Sequence, residues 1–245
     1  MNNAAITALA YLLVILAGLL MQMSAADSGG VADNLRMVRQ KAMELDHRIQ
    51  RIEDQNAIEN LQRTYGFLVD KALWHEVADL FTDDGTLEIG GRGVFAGKSR
   101  IYQYLLFLGK EGPQYGRLMD HMQLQPVVHV APDGRTAQGR WRFLARGGEL
   151  PLTGAPGTPG SGTGYLGMGT YENEYVKQDG TWKIRKLHAY FRMYTRDVDG
   201  WGKIALPITR PQGELPPDQP PSVVYDQYPS TFIPPFHYRH PVSGK

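Results

Sequence analysis

Residues 65–85 read Tyr65-Gly-Phe-Leu-Val-Asp70-Lys-Ala-Leu-Trp-His75-Glu-Val-Ala-Asp-Leu80-Phe-Thr-Asp-Asp-Gly85. The first part continues an apolar stripe, Ile58, Leu61, Tyr65, Leu68 and Ala72, whose steps of three and four predict a helix. After a break, Trp74, Val77 and Phe81 repeat that spacing and predict a second. A third covers Lys98–Leu108, with Ile101, Leu105 and Leu108 turned inward. The rest of the period is that of strands: Thr86–Ile89, Gly93–Ala96, Leu118–Val130, Thr136–Ala145, Gly169–Lys177 and Thr181–Thr195. Asp133-Gly134 and Asp179-Gly180 each separate two of these runs and signal hairpins. Helices early and a long antiparallel sheet late define an α+β fold, in which the sheet curls and about three helices close one face.

Outward from this core the chain carries extensions. Its 245 residues contain no cysteine and a net charge of +1, which suits one self-sufficient domain and gives no field for holding phosphates. Nucleic acid is therefore not an expected partner. Residues 4–23 form an apolar run followed by Ser24-Ala25-Ala26, the pattern of a secretory leader cleaved after Ala26. A run of about 20 residues also suffices for an uncleaved membrane anchor. Either way the chain is expected to be exported, to the periplasm or beyond. Next, Leu35, Val38, Ala42, Leu45, Ile49 and Ile52 alternate steps of three and four among Arg, Lys and Glu. This heptad-like helix either lies on its own domain or pairs subunits, and a homo-oligomer is expected. The expected organisation is leader or anchor 1–26, helical extension 27–53, core domain 54–196 and Pro/aromatic-rich tail 197–245.

Residues 147–164 are too rich in Gly and Pro for a regular element and predict a long loop, with the character of a lid. Gly162, Gly164 and Gly167 satisfy G-x-G-x-x-G, but neither a preceding strand nor a following helix supports a dinucleotide site. The 7 histidines include one close pair, His237 and His240, with no third ligand at a metal-binding spacing. No organic cofactor and no metal are expected. The tail, with Tyr225, Tyr228, Phe232, Phe236 and Tyr238 among its prolines, is expected to wrap over a surface of the domain or of a neighbouring subunit.

The stretch 65–85, taken with Asp120-His121, resembles the entrance helices and catalytic dyad of the SnoaL-like group in the nuclear-transport-factor-like superfamily. These are small cone-shaped α+β domains that include scytalone dehydratase, bile-acid dehydratase and a lindane dehydrochlorinase. The resemblance covers roughly residues 50–195 and implies proton-transfer chemistry without metal or cofactor. It places Asp70 and His121 as a carboxylate–imidazole pair and Tyr65 as a hydroxyl donor. An ionised carboxylate fixes the tautomer of a histidine and stabilises the imidazolium, which makes a general base. A tyrosine beside it can donate to the oxygen that gains charge as the proton leaves.

Two alternatives stay open from the residues themselves. On an ideal helix Asp70 is rotated by about 140° from Tyr65, so it reaches a cavity only if the helix ends or bends there. Otherwise it is a solvated helix-end carboxylate, and His121 a strand histidine satisfied by a carbonyl. Strand alternation puts His121, Gln123 and Gln125 on one face, and His188, Tyr190 and Arg192 on one face of the last strand. Gln123, His188 and Tyr190, with Trp74, are the expected lining of the pocket. The function that follows is a cofactor-independent lyase or isomerase for a hydrophobic, oxygenated small molecule. The alternative is a non-catalytic small-molecule-binding or assembly protein on the same scaffold.

Overall fold

The computed structural model describes residues 15, 28–115, 117–149, 163–196, 215–225, 235 and 237. The expected leader, apart from Ile15, and the centre of the 147–164 loop lie outside them. The chain divides into two units, residues 1–50 and 51–245. In the first, the described residues other than Ile15 belong to helix α1, Ser28–Asp70, which continues into the second as one helix. No helix among the described residues is long and apolar enough to cross a membrane.

The second unit holds α2 (Trp74–Asp79), β1 (Phe81–Ile89), a 3-10 turn (Gly90–Arg92), β2 (Val94–Ala96), α3 (Lys98–Phe107), β3 (Arg117–Val130), β4 (Thr136–Glu149), β5 (Thr163–Gln178) and β6 (Thr181–Arg196). The six strands form one curved, unclosed sheet in the order β2-β1-β6-β5-β4-β3. All neighbours are antiparallel except β1 and β6, which run parallel. β4 alternates strictly: Ala137, Trp141, Phe143 and Ala145 are buried while Gln138 and Arg142 are exposed. That period of two is what a sheet with one face on a core requires. Both Asp-Gly signals are hairpins. At the second, Asp179 (φ 49°) and Gly180 (φ 78°) form the tight turn between Gln178 and Thr181.

The long loop is shorter than its composition suggests. Gly147, Gly148 and Glu149 extend β4 and pair with Tyr165, Gly164 and Thr163, so only residues 150–162 separate the strands. Ladder hydrogen bonds are indifferent to side chains, which is why glycine does not exclude a strand here. Of the tail, residues 215–225 run beside β2. Val94 bridges Gln219, and Asp218 accepts from the Ala96 amide at 3.0 Å and Arg100 Nε at 3.1 Å.

The core lies between the concave face of the sheet and the helices, around Trp74, Phe81, Phe95, Ile101, Tyr104, Leu105, Phe143, Ile184 and Leu187. Its polar centre is Gln62, which is completely buried. Gln62 Nε2 donates to Gln123 Oε1 at 2.8 Å, and Gln62 Oε1 accepts from Tyr175 Oη at 2.8 Å and Asn173 Nδ2 at 2.9 Å. Trp141 Nε1 in turn donates to Tyr175 Oη at 2.9 Å. One helical side chain thus ties α1 to β3 and β5 directly and to β4 through Tyr175. Each member has a partner, the condition under which a buried polar network stabilises. Replacing Gln62 by Leu strands several of these groups at once. The loss is expected to be roughly 2–4 kcal/mol in urea unfolding at unchanged m-value. A loss under about 1 kcal/mol would show that the stranded groups find other partners.

Candidate active site

The site is set by how α1 meets β3. Gly66 lies against the strand so closely that a Cβ there would sit 2.8 Å from His121 O and 2.9 Å from Gln123 Cγ. One turn on, Asp70 shares that face and is the last helical residue. The backbone then reverses through Ala72 at φ 51°, with Leu73 N–H donating to Leu68 O. This resolves the question of rotation. Asp70 does not share the face of Tyr65 and Val69; it closes the helix beside β3, where its Oδ1 accepts the His121 amide at 2.6 Å. The same oxygen stands 3.6 Å from His121 Nδ1. Nδ1 is buried and has no hydrogen-bond partner among the described residues, so a small rotation of the ring completes a contact that the backbone bond already holds in register. Catalytic hydrogen bonds in unliganded sites are commonly long in this way.

His121 borders a cavity of about 410 Å³. Tyr65 and Val69 line it from α1, Tyr104 and Leu105 from α3, Tyr165 and Tyr171 from β5, and Phe191 and Tyr194 from β6. Asp70 is not among the lining residues. It faces a shallower depression of about 290 Å³ on the other side of the α1–β3 seam, with Arg63, Phe67 and Asp120, and reaches His121 from behind. The imidazole, with Nδ1 3.6 Å from Asp70, belongs to a residue that lines both the depression and the cavity.

Tyr65 is only 4% exposed, and its ring meets that of Tyr171 edge to face at 6.1 Å. Burial pushes both phenols above their ordinary range, Tyr65 well above it, so each keeps its proton. Each phenol therefore has a proton with which to meet a ligand oxygen. Tyr171 also reaches the Gln123 side chain.

The other expected lining residues are elsewhere. Trp74 is fully buried but donates Nε1 to Gly109 O at 2.8 Å, pinning α2 to the turn after α3. Gln123 sits behind His121: its Nε2 donates to His121 O at 2.9 Å while its Oε1 takes the bond from Gln62. His188 and Tyr190 are on the wrong side of the sheet. The cavity side of β6 carries Leu187, Ala189 and Phe191, so the polar set points to the opposite face. There His188 stacks on Tyr190 at 3.8 Å and lies 3.5 Å from Glu88, whose carboxylate accepts from Ser222 N at 2.8 Å and Oγ at 2.7 Å. Burial first, then Lys186, push the His188 imidazole down to about 3. A bulge at Arg192 restores Tyr194 to the cavity face after Phe191. Cavity residues not expected from the sequence include Tyr171, Tyr104, Arg92 and Arg117. Tyr171 carried a signal, since it alternates in step with Asn173 and Tyr175 within the expected strand Gly169–Lys177.

The curved α+β half barrel defines a class of protein, and the sequence agrees. The SnoaL-like domain profile matches residues 50–188, so the chain belongs to that family, within the nuclear-transport-factor-like superfamily. Among solved structures it is similar to the dehydrochlorinase LinA, at 20% identity and a TM-score of 0.50 over 66% of this chain and 99% of that one. A putative scytalone dehydratase from Novosphingobium aromaticivorans gives 22% identity and a TM-score of 0.49 over 66% and 98%. A type 2 hexachlorocyclohexane dehydrochlorinase gives 22% and 0.49 over 61% and 92%. At such identities the likeness shows the fold. No curated protein matches the chain.

Because Gly66 sets the approach of α1 to β3, Gly66→Ala is expected to destabilise the domain by about 1–3 kcal/mol through overpacking. It should also shift the ring resonances of His121 in NMR spectra. Unchanged melting and unchanged His121 signals would mean that the seam can open at no cost.

Proposed function

We propose that the protein is a cofactor-independent lyase or isomerase that abstracts a proton from carbon in a hydrophobic, oxygenated small molecule. The observation that carries this reading is the carboxylate of Asp70 at 3.6 Å from Nδ1 of a histidine whose ring borders an aromatic cavity. His121 takes the proton next to a carbonyl, and the C–H electron pair moves into the carbon framework to give an enolate. The Tyr65–Tyr171 pair donates a hydrogen bond to that oxygen. Collapse of the enolate expels a leaving group from the β-carbon, the pair of the broken bond departing with it, and the imidazolium returns its proton to the leaving group. Where no leaving group is present, reprotonation at another carbon moves a double bond. Asp70 is a positioning residue, since it touches the imidazole and not the cavity.

Dehydration and dehydrochlorination, the reactions in the names of the similar structures, both remove a proton from carbon. The apolar leader at 4–23 supports placing the domain outside the cytoplasm.

Replacing His121 by Ala, or Asp70 by Asn, is expected to leave the fold intact and to lower proton abstraction by about 10² to 10⁴. The double variant should be scarcely worse than either single one, because the two residues act as one unit. The assay is hydrogen–deuterium exchange at the acidic carbon of a bound ketone such as 2-tetralone. Near-wild-type exchange in the single variants, or losses that multiply, would refute the dyad and favour a binding protein on the same scaffold.

A further inference from the structure

The cavity described above contains two guanidinium groups that the proposed reaction does not use. Arg92, at the end of the 3-10 turn, donates Nη1 to Tyr104 Oη at 2.7 Å and has no ion-pair partner among the described residues. Its one partner is neutral: Tyr104 is completely buried, and desolvation raises its pKa although the Arg92 charge acts against that rise. Arg117, at the start of β3, donates to Leu108 O, and its Nε is 3.9 Å from Glu149, a carboxylate that is 71% exposed. Such a surface pairing contributes little. Between them stand Tyr165 and Tyr194, stacked at 5.3 Å, with the charge of Arg117 acting on the first and that of Arg92 on the second.

We propose that this cavity takes a substrate bearing an anionic oxygen, a carboxylate or phenolate on an aromatic or fused-ring frame, with Arg92 and Arg117 as its binding residues. The inference rests on reading the cavity as the reaction site. A guanidinium has five N–H donors, and Arg92 spends one on a neutral phenol that an amide or a water would satisfy at lower cost in desolvation. A cation held in an aromatic cavity without a counter-ion is costly, and the cost is offset when the ligand brings the anion. The planar fork suits a carboxylate in two parallel bonds, and the aromatic walls suit the ring that carries it.

The test measures binding by calorimetry with 2-naphthoate and its neutral isostere 2-naphthamide, to wild type and to Arg92→Met, Arg92→Lys, Arg117→Met and His121→Ala. Naphthoate should bind at least about tenfold more tightly than naphthamide, since buried donors left without an acceptor penalise the neutral analogue. Arg92→Met should remove most of that preference without changing naphthamide affinity, Arg92→Lys should keep part of it, and Arg117→Met should lower it further. Equal affinity of wild type for the two probes, no binding of naphthoate at millimolar concentration, or a preference that survives Arg92→Met would each overturn the proposal. His121→Ala should keep the preference. Anion selectivity therefore stands or falls apart from the dyad.

A separate observation concerns the first unit. The apolar side of α1, Val31, Leu35, Val38, Ala42, Leu45, Ile49 and on to Ile52, has no buried member, and Leu35, Leu45, Ile49 and Ile52 are 45%, 49%, 51% and 61% exposed. With Leu35, Ala42 and Ile49 as heptad position a and Val31, Val38, Leu45 and Ile52 as d, position g holds Asn34, Lys41 and Arg48 and position e holds Ala32, Arg39, Asp46 and Glu53. In a parallel, in-register pair each g residue faces the e residue five positions on in the other helix. Lys41 then meets the partner's Asp46, and Arg48 the partner's Glu53. An antiparallel pair would instead bring Lys41 beside the partner's Arg48.

We infer that this face pairs with a second copy of the chain as a parallel coiled coil. The chain has no cysteine, so Leu45→Cys introduces a single thiol on the seam and His47→Cys one on the outer face. Under mild oxidation Leu45→Cys should give a covalent dimer and His47→Cys should not. Lys41→Glu with Arg48→Glu should weaken association in sedimentation, and adding Asp46→Lys with Glu53→Lys should restore it. A monomer at micromolar concentration, equal cross-linking at both positions, or indifference to the charge swap would overturn the inference.

Discussion

Everything in the second unit depends on one row of residues along α1. Asp54, Ile58, Gln62, Gly66 and Asp70 recur every four positions and form the ridge that lies on the sheet. Ile58 is the only one that a hydrophobic pattern would select. Asp54, 2% exposed, accepts from Lys177 Nζ at 2.6 Å and Trp182 Nε1 at 2.9 Å. Gln62 anchors the middle through its network, Gly66 lets the strand come close, and Asp70 takes the amide of His121. A row of leucines would bury more apolar area, but it would tolerate a helix that slides or turns. Bonds of fixed direction at three points do not, and the dyad distance is the quantity that such a constraint protects. That buried polar groups specify this register is a hypothesis here; a sliding helix in the Gln62→Leu variant, seen as new contacts at His121, is what it implies.

The same constraint explains the division of labour around the imidazole. A carboxylate lining the apolar cavity would be desolvated and would compete with any anionic ligand. Placed behind β3, Asp70 keeps a partly wet side, with 14% of its side chain exposed, and still acts on Nδ1. The cavity is left to the phenols, which burial keeps protonated, and to the arginines. Donors thus face the ligand while the acceptor that supports the base is kept out of its way.

These facts also decide what was legible in the sequence. Period-two alternation in β4 and the two Asp-Gly turns showed most of the sheet, because one face of each strand is on the core. The α1 stripe through Tyr65 showed the cavity side of the helix and missed the ridge on the sheet, because three of the ridge's five members are polar. His188 and Tyr190 misled for a related reason. A polar row on a central strand reads as cavity or solvent, but here it faces a covered outer surface. Arg92 and Arg117 had no pattern to announce them, since a single arginine at a turn or at the start of a strand is indistinguishable from a solvated one until the fold closes over it.

That covered surface changes the argument about assembly. An open polar sheet face invites a subunit partner. In this chain the tail covers part of that face itself. Ser222 bonds to Glu88, Tyr225 packs on Tyr190 at 5.7 Å, and His237 stands 2.9 Å from Glu172, which pairs with Arg140 at 2.6 Å. The outer β2 edge is likewise met by Gln219. Once its own chain occupies those positions, a second copy cannot use them without displacing the tail and leaving Glu88 and Glu172 to find new partners in a buried setting. Among the described residues, the long apolar surface that remains uncovered is on α1, in the unit that carries no part of the site. The pairing proposed for that helix uses side chains that belong to neither the dyad, the cavity lining nor the tail.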